Sequence, residues 1–83
     1  MVKEVRYRRA ALAAFRRMSP AMARRIVDRV ARYAADPAGV GHNVKALKGE
    51  EALPLRVGDY RVIFLEDDVI DVVRIGHRSD VYR

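Results

Sequence analysis

Six side chains near the C-terminus of this 83-residue chain could share one piece of chemistry: Arg56, Arg61, Arg74, His77, Arg78 and Tyr82. Arginine presents a planar fork of donors that suits phosphate oxygens, so several converging arginines would cradle a phosphate. Histidine is the side-chain type that exchanges a proton near neutrality, and a tyrosine can stack on a base, orient a phosphate or simply pack. Attack of a ribose 2′-hydroxyl on the adjacent phosphodiester needs a proton acceptor, positive charge around the phosphorane and help for the departing 5′-oxygen. On this reading Arg61 and Arg78 stabilise the oxygens, His77 is the conventional base, and Arg56 or Tyr82 orients the backbone. Each residue also has a plainer use. Arg61 can pair with Asp59 or Asp71, His77 can close the last strand by hydrogen bonding, and His42 in a glycine-rich segment is more simply structural.

The rest of the composition narrows the chemistry. There is no cysteine, and the two histidines are far apart, so neither disulfides nor a structural zinc site are expected. Asp67 and Asp68 read as turn residues and not as half of a two-metal carboxylate set. Any cleavage is therefore expected to need no metal, and no other cofactor is indicated. Apolar runs are only a few residues long, too short for a membrane span or a secretory segment, so a soluble cytoplasmic protein is expected.

The net charge is +6, from 17 basic and 11 acidic residues. Residues 1–48 hold twelve basic and three acidic side chains, whereas residues 49–83 hold five and eight. Such a basic field favours a polyanion or an acidic protein partner. For nucleic acid, the candidate contacts are Arg16, Arg17, Arg24, Arg25, Lys45, Lys48 and Arg56. Asp28, four residues from both Arg24 and Arg32, is placed for local pairing.

Eighty-three residues make one compact domain, spanning 1–83. Val2 to Tyr7 alternates as a short edge or near-edge strand. From Arg8 a helical spacing begins, with Leu12, Phe15 and Met18 near one face and Arg9, Arg16 and Arg17 outside. Ser19-Pro20 starts a second helix, because the hydroxyl can cap it and proline at the first helical position sacrifices no bond. Its stripe is Met22, Ile26, Val30 and Tyr33, and it is expected to end near Ala35. Residues 38–51 carry three glycines and read as a connection. Leu53–Val57, Tyr60–Leu65 and Val69–Ile75 then read as an antiparallel meander turning at Gly58-Asp59 and at Glu66-Asp67-Asp68. Pro54 argues that the first of these strands is an edge or pairs only beyond that residue. The predicted class is α+β: an N-terminal strand and a two-helix hairpin packed on a small antiparallel sheet that the three-strand meander completes. Both faces of the strand from Tyr60 are populated, and Arg61 is expected on the face turned away from the helices. With Arg83 the last residue, no further helix is expected to cover that groove.

Three segments, in order and spacing, resemble the RelE/ParE toxin family of type II toxin–antitoxin systems. They are Leu47-Lys48-Gly49, the run from Leu55 through Gly58-Asp59-Tyr60-Arg61 to Phe64, and Arg74-Ile75-Gly76-His77-Arg78-Ser79-Asp80-Val81-Tyr82. The resemblance, closer to the RelE-like branch, implies a cytoplasmic toxin neutralised by an antitoxin that wraps its basic surface. RelE-like members cut messenger RNA in the ribosomal A site by 2′-hydroxyl attack, whereas ParE-like members poison DNA gyrase. It implies that Arg61 stabilises the transition-state phosphate, that Arg78 serves that phosphate or the leaving group, and that Tyr82 positions the message. The family's nucleases also carry basic residues at the places matching Ala52 and Pro54. Their absence here keeps open a gyrase-poisoning toxin, or a degenerate module that only binds its antitoxin.

Overall fold

The computed structural model describes residues 2–37 and 52–81. Seven elements follow one another: β1 (Glu4–Tyr7), α1 (Arg9–Phe15), α2 (Pro20–Ala35), β2 (Leu53–Val57), β3 (Tyr60–Glu66), β4 (Val69–His77) and α3 (Arg78–Val81). The strands form one sheet in the order β1-β4-β3-β2, with the helices α1 and α2 on one face. The meander is antiparallel as predicted, but β1 joins β4 in parallel, so the sheet is mixed. The reason is the route: α1 and α2 carry the chain over one face, and the meander then returns β4 alongside β1 in the same direction. Among the described residues no helix is long and apolar enough to cross a membrane.

The start of α2 follows the local chemistry foreseen for it. Ser19 Oγ accepts from the backbone N–H of Met22 at 3.2 Å, and Pro20 occupies the first turn. Ile26, Val30, Tyr33 and Ala34 form its buried stripe. α1 is shorter than predicted, because tight bonds from Arg16 N–H to Ala13 and from Arg17 N–H to Ala14 end it after Phe15. Its inward face is also one step round from expectation. Ala11 is buried with Ala14, Phe15 and Met18 against the core, while Leu12 is 48% exposed. Residues 11, 14, 15 and 18 make a complete helical stripe, and its alanines let α1 lie close on β4.

The sheet gives Leu55, Val57, Val62, Phe64, Ile70, Val72 and Ile75 to the core beneath the helices. The last two of these break the two-residue period of a strand. Phe64 stands opposite Val72 and Ile63 opposite Arg74, leaving Val73 as the extra residue of a β-bulge. Without it Arg74 would share a face with Ile70 and Val72 and enter the core. With it Arg74 is exposed and Ile75 is buried.

A polar clamp ties β1, α2 and β3 together at the far end of the sheet. The Tyr33 hydroxyl donates to Glu66 Oε1, and Lys3 Nζ donates to Glu66 Oε2 at 2.9 Å and to the carbonyl of Asp67 at 2.7 Å. Burial alone would raise the Glu66 carboxyl, but the hydrogen bonds from Tyr33 and Lys3 and the Lys3 charge outweigh it and hold the group below its ordinary value of 4.5. Tyr33 moves the opposite way, through burial first and then its hydrogen bond to Glu66. A depressed carboxylate stabilises the fold above its unfolded-state titration and loses that contribution as pH falls through the folded one. Unfolding free energy is thus expected to fall on acidification below about 4.5. In Glu66→Gln that part of the acid loss should disappear in urea titrations. An acid limb identical in both proteins would show that Glu66 is not the linked group.

Candidate phosphate-binding cleft

The hairpin from β2 to β3 turns through Gly58-Asp59, with Val57 paired to Tyr60. Gly58 has φ of +59°, a left-handed conformation open to glycine at little cost, and Met22 and Arg25 of α2 lie over it. This turn is joined to the end of β4 by a main-chain bond: the N–H of Arg78 donates to the carbonyl of Asp59 at 2.7 Å. That bond holds α3, a single turn at Arg78–Val81 that the sequence reading did not foresee, beside the hairpin. A cleft of about 360 Å³ lies there, lined by Arg56, Arg61 and Arg78 together with Asp59, Tyr60 and Ser79.

Arg56 and Arg61 are direct cross-strand partners, so their side chains leave the same face of the sheet. Arg61 belongs with Ile63 and Leu65 on the face away from the helices, since Val62 and Phe64 are buried beneath them. Like charges directly opposite one another on a sheet are unfavourable, and an anion between them reverses the sign. Among the described residues the cleft therefore has the electrostatics of an anion site, with three arginines and one carboxylate, that of Asp59, in its lining. Asp71, one of the partners considered for Arg61, is engaged by Arg8 through bonds of 2.6 to 3.2 Å.

The candidate residues separate into groups. Arg56, Arg61 and Arg78 meet at the cleft. Arg74 is exposed on β4 but does not line it. His77 is directed by the bulge to the face of Tyr60, where the two rings meet edge-on with centroids 5.3 Å apart. Its hydrogen-bonded link to the cleft is Ser79, whose Oγ lies 3.0 Å from His77 Nδ1. Tyr82, Lys45, Lys48 and His42 lie outside the described residues. Arg16, Arg17, Arg24 and Arg25 are all exposed. Arg24, Arg25, Arg29 and Arg32 flank a shallow groove along α2, and Asp28 in its midst forms no ion pair with Arg24 or Arg32. The expected local pairing is thus not made. Arg25 Nη1 would stand 3.5 Å from a Cβ placed on Gly58, so the basic face of α2 runs up to the rim of the cleft.

Sequence reasoning missed Ser79 as a lining residue and read Asp59 as a turn residue and a partner for Arg61, not as part of a cleft wall. Their signal was present in the Gly58-Asp59-Tyr60-Arg61 hairpin and in the adjacency of Ser79 to Arg78. Among the described residues no group of three or more histidines and carboxylates is placed to hold a metal ion.

A family model described as the ParE toxin of type II toxin–antitoxin systems, parDE, matches residues 5–82. The chain belongs to the RelE/ParE toxin superfamily. Among solved structures, this RelE/ParE-type chain is similar to the RelE–RelB complex of Pyrococcus horikoshii OT3, with 25% identity, a TM-score of 0.78 and coverage of 94% of this chain and 97% of that one. It is also similar to the RelBE2 toxin–antitoxin complex of Mycobacterium tuberculosis, with 23% identity, a TM-score of 0.77 and coverage of 94% and 100%. The RelB–RelE complex of Methanococcus jannaschii shares the fold at 19% identity, with a TM-score of 0.76 and coverage of 93% and 94%. No curated protein sequence matches.

Proposed function

We propose that this RelE/ParE-type protein is a cytoplasmic toxin that cleaves ribosome-bound messenger RNA by 2′-hydroxyl attack, without a metal ion. The observation that carries the reading is the meeting of Arg56, Arg61 and Arg78 around one open cleft. A phosphodiester gains negative charge on its non-bridging oxygens as it becomes a phosphorane, and donors already aimed at that charge need no rearrangement during the step. In this mechanism Arg61 and Arg78 take those oxygens, Arg56 holds the neighbouring backbone, and Tyr82 positions the message. The cleft supplies charge and leaves alignment to its surroundings. The ribosome, by holding the message with its 2′-oxygen in line, supplies the orientation. Arg16, Arg17, Arg24 and Arg25 dock the toxin on ribosomal RNA, with Lys45 and Lys48 as further contacts. The RelE proteins of the similar structures are bound to RelB antitoxins, and an antitoxin covering the basic surface is the partner inferred here.

A second reading, poisoning of DNA gyrase, is favoured by the ParE description of the matching family model and by the neutral side chains at Ala52 and Pro54. One pair of assays separates the two. Protein added to translating ribosomes is expected to yield fragments cut within codons and ending in a 2′,3′-cyclic phosphate, while gyrase supercoiling is unaffected. Blocked supercoiling with intact messages would replace the nuclease by the gyrase poison. Neither effect, with antitoxin binding intact, would leave a binding module.

A further inference from the structure

His77 and Ser79 form a hydrogen-bonded pair whose direction can be worked out. Ser79 Oγ lies 3.0 Å from His77 Nδ1, and the Ser79 backbone N–H approaches the same nitrogen at 3.4 Å. A backbone N–H can only donate, so Nδ1 carries the lone pair and the proton of a neutral ring sits on Nε2. The hydroxyl is then also a donor to Nδ1, and the lone pairs of its oxygen remain available to the cleft that Ser79 lines. The edge of the contact with Tyr60, at 89° between the ring planes, holds the imidazole in place.

Resting on the nuclease reading, we propose that Ser79 is a catalytic residue that accepts the 2′-hydroxyl proton of the RNA while passing its own proton to His77. As the 2′-oxygen bonds to phosphorus, its proton moves to Ser79 Oγ and the serine proton moves to Nδ1. The bond from phosphorus to the 5′-oxygen breaks, and that oxygen leaves with a proton from solvent water. The imidazolium then returns its proton to the hydroxide left behind, through the same serine. The products are a 2′,3′-cyclic phosphate and a 5′-hydroxyl, and both side chains are restored. His77 thus serves the reaction from behind the cleft wall. Among the described residues, the charged and titratable groups around this end are Tyr60 and Arg61 on β3, Arg56 on β2, Asp59 in the hairpin turn, Arg78 on α3 and, over the turn, Arg25 of α2. Among the described residues no carboxylate forms an ion pair with His77.

The test is single-turnover cleavage of a ribosome-bound message between about pH 5 and 8, where an imidazole acceptor gives an acid-side fall. Ser79→Ala is expected to lower the rate by ~10²-fold or more at the plateau and to abolish that fall. Ser79→Thr, which keeps a hydroxyl, should retain most of the rate, and His77→Gln should lose the same limb. An equal decrease at every pH in Ser79→Ala, or no decrease, overturns the relay; if Arg61→Ala is slowed by about 10²–10³-fold in the same assay, the nuclease reading stands without it. Failure of the unaltered protein to cleave removes both. Nitrogen-15 spectra of neutral His77 offer an independent check, since a proton on Nδ1 in place of Nε2 would refute the proposed direction.

Discussion

Arg61→Ala is expected to lower single-turnover cleavage of a ribosome-bound message by about 10²–10³-fold, the loss that follows removal of one preorganised donor to a developing oxyanion. The size of the effect follows from where the residue is held. Arg61 sits within β3, paired with Arg56 on one side and with Gly76 on the other, so its backbone is fixed by both neighbouring strands. Gly76 contributes no side chain on that flank. Arg61→Lys should recover only part of the rate, because an ammonium keeps the charge and loses the planar fork. Thermal melting of each variant distinguishes lost chemistry from lost fold. Unchanged cleavage by a folded Arg61→Ala protein would end the role assigned to this residue.

The second large effect concerns stability. Phe64→Ala is expected to destabilise the domain by ~3–5 kcal/mol, the usual cost of emptying a buried aromatic site. Phe64 is 1% exposed, and its ring lies against Tyr33 with centroids 5.2 Å apart. It therefore joins β3 to α2 directly beneath the strand that carries Arg61. A domain of this length typically has a total stability of ~4–12 kcal/mol, so the substitution leaves little margin. Urea unfolding of Phe64→Ala should show a midpoint far below that of the parent. An unchanged midpoint would mean that the core is not organised around this ring.

Much of the architecture was legible because its signals are local. Ser19-Pro20 marks a helix start by capping chemistry, and the stripe through Met22, Ile26, Val30 and Tyr33 declares which face of α2 turns inward. Gly58-Asp59 between two apolar alternating runs marks the hairpin. The parallel placement of β1 was not legible, because strand neighbours across a long connection are chosen by the whole fold. The rotation of α1 was hidden for a related reason: Ala11 and Leu12 are both apolar, and only close approach to β4 selects the smaller one. The bulge at Val73 was missed although Val72-Val73-Arg74 breaks the alternation. Its effect reaches the candidate site, because the change of parity turns His77 toward Tyr60 and away from Arg61. Grouping Arg61 with Arg78 needed only neighbouring strands and a short return. Bringing His77 to the same phosphate needed an unbroken period of two, which β4 does not keep.

The tie between Arg78 and Asp59 is made wholly by peptide groups. Its geometry is indifferent to the identity of the side chains attached there, proline at position 78 excepted, because that residue would lack the donor. Relatives built on this frame can thus exchange the charges at the mouth of the cavity while its walls stay where they are. A single scaffold of this kind can be retargeted by drift, without first having to be rebuilt.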